Sequence, residues 1–378
     1  MVTQSSSSHS SSIGILIVGF GGANGSTLAC GILANRNKIQ WFGPLGESQT
    51  PNYNGCITQL TPRGTAHPGV GYKSKYKEGQ YLSLADVNNA AIGGWDIRPN
   101  KLGDALLDAQ ILDYDLVRQV RDDLNKIPIW KGYYDPRFIG SSQHNGATYT
   151  LVPNLSAADA LDILRQDIRN FKQDHRVQGH TTVIWSASVE PNCPFCFEGG
   201  GLDTAAELLQ SISMSEEERG GPLPPSLIYA TAAILEGCSF VNGASQYIIC
   251  KGLLELTHQQ KQQGGGKAYC LGTDFKAGQT KFKTAAVEYL RTMGLQPKVI
   301  ASSNHLGNND MYNLATSDTA RMAKLRVKND IFSSWEEDID HKVSVMYTPW
   351  MKDEKRDFVE YTSLAFLNQI HTMVTYTR

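Results

Sequence analysis

Ile13–Val18 (IGILIV) is a short, wholly apolar run that ends at the glycines of Gly19–Gly25 (GFGGANG). Without polar alternation, such a run reads as a strand buried on both faces of a parallel sheet. From Ser26, STLACGILANR places Leu28, Ile32 and Leu33 at helical spacing, so a helix is expected next. Strand, glycine turn and helix make half of a βαβ unit. At that junction glycines let backbone approach a pyrophosphate, while the helix N-terminus presents free N–H groups and the positive end of its dipole. Dinucleotide binding follows. The glycines fall at 19, 21 and 25, one residue longer than the usual fingerprint, and no Asp or Glu lies between Ser26 and Gly46 to hold a ribose hydroxyl. NAD and NADP both stay open on these residues. Asp96 in Gly93–Ile97 (GGWDI) is a substitute carboxylate, with a plain turn carboxylate as the competing reading.

Working outward, Ser156 with Asp159 forms a capping arrangement ahead of Leu161, Leu164, Ile168 and Phe171 at helical spacing, and Thr182–Trp185 reads as a strand. A third unit runs as a helix over Lys283–Met293, stops at Gly294 and leads into a strand at Lys298–Ser302. The repetition predicts an α/β protein. Glu190–Gly201 and His258–Lys267 read as loops without chemistry. Lys plus Arg (35) nearly balance Asp plus Glu (37), so there is no basic field for nucleic acid or an anionic membrane. Met1–Ser12 is Ser-rich without charge or an apolar centre, and reads as a disordered tail rather than a secretion signal. Seven cysteines without a repeating spacing predict free thiols and a reducing, cytoplasmic setting.

Gly272–Lys283 (GTDFKAGQTKFK) gathers Asp274, Lys276, Lys281 and Lys283 around Gly278, Gln279 and Thr280, a mixture able to hold a phosphate by amides and ammonium charge. Asn304–Asp310 (NHLGNND) follows an apolar strand and is crowded with hydrogen-bonding side chains; a surface turn is the alternative. Lys324, Lys328, Lys342, Lys352 and Lys355 continue the lysines, mostly as solvated charges, although a lysine beside other cations can move protons or stabilise an oxyanion. Cys193 and Cys196 lack a second pair for a metal, and no metal site is expected. His305 reads as a turn histidine rather than a base.

Seven motifs in order, GFGGANG, GGWDI, YDPRFIGSSQ (134–143), VIWSAS (183–188), ILEGCSFVNGASQ (234–246), GTDFKAGQTK and SSNHLGNNDMYNL (302–314), resemble the myo-inositol-1-phosphate synthase family of the eukaryotic type, over roughly residues 13–365. The resemblance implies conversion of glucose 6-phosphate into inositol phosphate without net redox change: bound NAD oxidises C5, a proton leaves C6, C6 attacks the C1 aldehyde and the hydride returns. It implies that Gly19, Gly21, Gly22, Ala23, Asn24, Gly25, Asp96, Ile97 and Ala187 hold NAD, with Gly243 near the nicotinamide. Gly278, Gln279 and Leu314 would meet the phosphate. Asp274, Asn304, Asn308 and Asp310 would order the substrate and the lysines. Lys324 and Lys328, four apart on one helix face, would match the catalytic pair, and Lys355, with Asp353 near it, a further catalytic lysine.

The implied fold is a doubly wound Rossmann-type NAD-binding domain over residues 13–280 and a smaller α/β catalytic and oligomerisation domain over 281–378, assembled as a homotetramer. Ser188, Val189, Pro191, Ala244, Ser245, Ala277 and Met311 depart from the family pattern. The sequence ends at Arg378, before the stretch where the family has a further Asp, helices returning to the NAD domain and a last catalytic Lys. The expected function is inositol-3-phosphate synthase, serving inositol and phospholipid biosynthesis. The alternatives are a catalytically impaired NAD-binding paralogue or truncated subunit, and redox chemistry on another sugar phosphate.

Overall fold

A computed structural model describes residues 13–56, 85–152, 155–262, 268–275, 278–333 and 338–378. The Ser-rich tail, Lys276, Ala277 and the 263–267 part of the polar loop lie outside these. The strands of the first half are β1 (Ile13–Val18), β2 (Trp41–Phe42), β3 (Ser48–Gln49), β4 (Ala90–Asp96), β5 (Ile129–Lys131), β6 (Thr181–Trp185), β7 (Ser239–Asn242) and β8 (Cys270–Leu271). Its helices are α1 (Ala23–Asn37), α2 (Leu102–Ala109), α3 (Tyr114–Leu124), α4 (Ala157–Asp174), α5 (Ala205–Ser213), α6 (Glu216–Arg219), α7 (Pro225–Leu235) and α8 (Lys251–Gln262).

Six strands form one parallel sheet in the order β5-β4-β1-β6-β7-β8. The chain therefore runs outward from β1 in one direction and returns to build the other side, the doubly wound arrangement whose ligand crevice lies at the C-terminal ends of the strands flanking the reversal. Val18, Trp95 and Trp185 stand side by side there, paired across β1, β4 and β6. Both faces of the sheet are covered. α1, α2 and α3 bury Ile32, Leu33, Leu106, Val117 and Val120 on one side, and α4, α7 and α8 bury Leu164, Ile168, Ile228 and Leu253 on the other.

In α4 the expected cap is present, the Ser156 hydroxyl accepting from the Asp159 amide at 3.1 Å. The expected apolar stripe of α1 is only partly its buried face, because Leu28 is 41% exposed. What packs down instead is Gly25, Ser26, Ala29 and Cys30 with Ile32 and Leu33, small residues that bring the helix close to the sheet.

The second half contains α9 (Gln279–Thr292), β9 (Gln296–Leu306), α10 (Asn309–Thr316), α11 (Asp318–Asn329), β10 (Asp340–Tyr347), β11 (Arg356–Leu364) and β12 (Ile370–Thr377). Its sheet has the order β10-β9-β11-β12, with β9 and β10 parallel and the other two pairings antiparallel. α9 starts one turn earlier than its apolar spacing suggests, since Gly278 at φ 64° turns the chain into it. β9 is longer than the expected Lys298–Ser302, because β10 and β11 pair along both of its edges as far as His305. Asn304 and His305 thus belong to a strand rather than a turn. Along β11, Asp357, Val359 and Tyr361 point inward at 4%, 0% and 1% exposure. Phe358 points outward beside Val374 and Tyr376 of β12, all three exposed.

Candidate active site

At the C-terminal end of β1, Gly19 takes φ +81°, and a Cβ there would stand 2.8 Å from the Cα of Ala187, so the turn can pass only without a side chain. Gly22 then begins α1 with no side-chain cap, which leaves the first helical amides of Ala23 and Asn24 facing the crevice. Gly25 lies under the turn, where a Cβ would meet the Phe20 carbonyl oxygen at 2.4 Å.

Asp96 is the last residue of β4 rather than part of a turn. Its carboxylate accepts from the Gly21 amide at 2.8 Å and from the Arg98 amide at 2.9 Å. Burial pushes this carboxyl above the usual range, against the pull of the two amides. A carboxylate thus reaches the glycine turn from the end of the adjacent strand, 75 positions further along the chain.

These groups open on a cavity of about 650 Å³. Gly19, Gly21, Gly22, Ala23, Asn24, Asp96, Ile97, Ala187 and Gly243 line it, and so do Asp274, Asn308, Asp310, Lys324 and Asp353 from the sugar-phosphate set. An uncapped helix start, a side-chain-free turn and a carboxylate at the strand end suit a dinucleotide. At the far end the Phe275 ring lies against Gly243, its Cζ 2.1 Å from where a Cβ would be.

α10 carries the polar end of the cavity. Asn308 caps it, accepting from the Met311 amide at 3.0 Å, and Asn313 fixes it from behind. The buried Asn313 side chain accepts from the Gly140 amide at 2.6 Å and donates to the Val189 carbonyl at 3.0 Å. Asp310 is thereby held where it accepts from the Val189 amide at 3.2 Å and from the Nζ of Lys324. Burial works to raise the Asp310 carboxyl, but the Lys324 charge and hydrogen bond outweigh it and the group sits below the usual range. Asp353 is pushed up by burial, partly offset by a hydrogen bond from Asn308.

One turn along α11, the Nζ of Lys328 donates to Asp274 Oδ2 at 3.1 Å, and the same carboxylate accepts from Ser245 Oγ at 2.7 Å. Burial and the charges of Lys324 and Lys355 push the Lys328 ammonium below its ordinary value, with Asp274 opposing them. Lys355 pairs with Asp357 at 2.8 Å. Asn304 is buried opposite Asp357 in the β9–β11 register, and its Nδ2 has no partner among the described residues.

Gly278 and Gln279 form the uncapped start of α9; the Oε1 of Gln279 accepts from Thr377 at 3.0 Å, and its Nε2 is unpartnered among the described residues. Lys328 touches the cavity wall through Asp274, whereas Lys355, Asn304, Gly278 and Gln279 are not among the residues that line the cavity. Leu314, expected to meet the phosphate, is instead a helical core residue at 1% exposure, grouped with Met311, Ala320 and Ala323, so burial closes it to a ligand.

Several groups escape the sequence reading. Arg98 donates to Gln143, and both line the cavity; Gln143 ends the GSSQ motif, the one signal available. Glu190, in a loop expected to be without chemistry, also lines the cavity and is 3% exposed. It accepts from the Ser226 amide at 3.2 Å and from the Ser226 hydroxyl, and burial raises it to about 8. Cys193 and Cys196 are free thiols, and no cluster able to hold a metal occurs among the described residues.

Residues 13–357 match the NAD-binding family described as myo-inositol-1-phosphate synthase. Inositol-3-phosphate synthase isozyme 2 of Arabidopsis thaliana is 36% identical over 375 residues, covering 96% of this chain and 69% of that protein. The Trypanosoma brucei brucei inositol-3-phosphate synthase is 34% identical, covering 96% and 67%. The crystal structure of inositol-3-phosphate synthase from Caenorhabditis elegans superimposes with a TM-score of 0.83 at 32% identity, covering 98% of this chain and 71% of that one. A myo-inositol-1-phosphate synthase-related protein from Thermotoga maritima shares the fold at a TM-score of 0.64 and 18% identity, covering 98% and 82%. With its glycine-turn crevice and the Lys324–Asp310 and Lys328–Asp274 pairs beside it, the chain belongs to the NAD-binding myo-inositol-1-phosphate synthase family.

Proposed function

We propose that this protein cyclises D-glucose 6-phosphate to inositol phosphate, an isomerisation without net redox change. The carrying observation is the placement of Lys324 and Lys328, each on its own carboxylate, where the dinucleotide cavity meets the second sheet. Bound NAD supplies a hydride acceptor and returns the hydride. Gly19–Asn24 and Asp96 would hold it, with Ala187 and Gly243 on the cavity wall that Asp274 and Asp310 share. The helix-start amides at Gly278 and Gln279, without a side-chain cap among the described residues, take the phosphate. Lys324, paired with Asp310, stabilises the enolate and alkoxide oxygens. Lys328, whose charged form is disfavoured by burial and by its neighbouring lysines, accepts and returns the proton at C6.

The proposed unit boundary lies near residue 280, where the chain leaves β8 for α9 and the second sheet. The exposed row of Phe358, Ile370, Val374 and Tyr376 on that sheet supports self-association, with a homotetramer as the assembly implied by the resemblance. No described helix is long and apolar enough to cross a membrane, and seven free thiols fit a reducing compartment such as the cytoplasm.

The test is inositol phosphate formation from glucose 6-phosphate by the purified chain with NAD, run beside an NAD-binding titration. Turnover is the expected result. NAD binding without turnover would instead favour a non-catalytic NAD-binding relative, and a different product would assign the redox chemistry to another sugar phosphate.

A further inference from the structure

Lys283 is a lysine that the reaction as described does not use, and its surroundings are unusual. It is 4% exposed on the inner face of α9, one turn beyond Gln279. Its Nζ donates to Ser302 Oγ of β9 at 2.6 Å and meets His341 Nε2 of β10 at 3.1 Å. Neither partner is an anion. The charged or titratable groups acting on it are Lys328 from α11, His341 and, behind it, Asp340 from β10, and Lys355 and Asp357 from β11. Asp357 is the nearest counter-charge, and Lys355 already pairs with it at 2.8 Å. Burying an ammonium among other ammonium groups without its own carboxylate is costly, so the site favours the neutral amine. Burial and the Lys328 charge push Lys283 down to about 7, while burial and the Lys283 charge push His341 down to about 4 and keep its ring nitrogen available as an acceptor.

The start of the same helix is prepared for an anion. Gly278 leaves the start of α9 uncapped, and the Nε2 of the buried Gln279 has no partner among the described residues. Gln279 and Lys283 are four residues apart, so they are stacked neighbours on one face, roughly 5–6 Å apart at Cβ. An opposite charge within about 4–6 Å moves a titrating group by about 1–3 units.

We propose that Lys283 is a proton-uptake residue, taking one proton from solvent when the phosphorylated end of the substrate docks at Gly278–Gln279, so that substrate binding and protonation are linked. The inference rests on the phosphate subsite named in the proposed function. Atoms balance simply: the amine lone pair takes a solvent proton, no bond in the substrate changes, and the proton leaves when the anion does. Lys283 is a positioning residue here. Its new charge sits on the face of α9 one turn beyond Gln279 and strengthens repulsion toward Lys328, easing proton loss from that residue.

The experiment is calorimetric titration of the NAD-loaded protein with sodium sulfate, and separately with glucose 6-phosphate, at pH 6 and pH 8 in two buffers of different ionisation enthalpy. Sulfate is the informative probe because it does not titrate here, whereas a phosphate ester titrates near 6. At pH 8 the buffer dependence is expected to report uptake approaching one proton per sulfate, falling toward zero at pH 6 where Lys283 is already charged. Affinity for sulfate should weaken toward tenfold per pH unit above 7.

Lys283→Arg keeps a permanent charge and should bind sulfate with no proton uptake and no such pH dependence. Lys283→Met should bind it weakly and also without uptake, with circular dichroism confirming its fold. Sulfate binding by the unmodified protein without uptake at pH 8, or uptake that persists in folded Lys283→Met, overturns the proposal. Failure of sulfate and glucose 6-phosphate alike to bind would overturn the phosphate subsite itself and the proposal with it.

Discussion

The Nζ of Lys328 stands 3.1 Å from the Oδ2 of Asp274, an ion pair that ties α11 to the loop after β8. The pair aligns the lysine and also limits how far burial can discharge it. Replacing Lys328 with Ala should lower turnover by about 10²–10⁴-fold, as expected for loss of a positioned proton-transfer group. NAD affinity should stay within about threefold, because Asp96 and the glycine turn do not touch Lys328. Turnover assays and an NAD titration on one preparation check this, and near-normal turnover would remove Lys328 from the reaction.

Asp96 predicts the reverse pattern. Its carboxylate accepts from Gly21 and Arg98, so Asp96→Ala removes the carboxylate proposed to hold NAD and frees two amides. NAD binding should weaken tenfold or more, about 1.4 kcal/mol or above. Because leaving buried donors unmatched costs about 1–3 kcal/mol, the melting temperature should fall as well. Unchanged NAD affinity in a folded variant would sink the assignment.

At Gly243 the prediction is steric. A Cβ would stand 2.1 Å from the Phe275 ring, so Gly243→Ala must displace the ring and the loop that carries Asp274. Overpacking of this kind costs about 1–3 kcal/mol. Turnover should fall more than stability does, since the displaced loop holds the anchor of Lys328. Wild-type kinetics in Gly243→Ala would show that the ring moves freely.

Glu190 makes a pH prediction. Its folded value of about 8 lies above the ordinary 4.5, so the neutral acid is the form the fold favours. Its contribution is complete below 4.5 and is lost as pH rises to about 8, by up to about 1.4 kcal/mol per pH unit within that window. Glu190→Gln, which preserves shape and stays neutral, should flatten this fall when unfolding is measured in urea at pH 5, 6.5 and 8. Identical slopes for the two proteins would contradict the protonated state.

Which of these features could be read from the sequence follows from their range. IGILIV and its glycines are local signals, and the β1–α1 junction is legible because strand, turn and helix are adjacent in the chain. Asp96 could be named but not placed, since what puts it beside Gly21 is strand pairing across 75 residues. Lys324 and Lys328 are recognisable as a pair by helical spacing, but their separate carboxylates come from α10 and from the loop after β8, which no periodicity connects. Glu190 left no trace, because burial of a loop residue depends on helix α7 supplying Ser226 thirty-six positions later. Leu28 misled for the opposite reason: apolarity suggested an inward face where small residues pack more closely.

Strand β11 places two tasks back to back. Asp357, Val359 and Tyr361 serve the interior that Lys355 adjoins, while Phe358 and its exposed neighbours on β12 form the outer face. Successive residues of a strand point to opposite sides, so a slip of one position would send Asp357 into solvent and drive Phe358 among the lysines. The shift in pairing between Thr362 and Ser363 confines irregularity to the far end of the strand and leaves the Arg356–Tyr361 register regular. Any subunit contact made on the outer face would therefore brace, through the thickness of a single sheet, the backbone that aims Asp357 at Lys355.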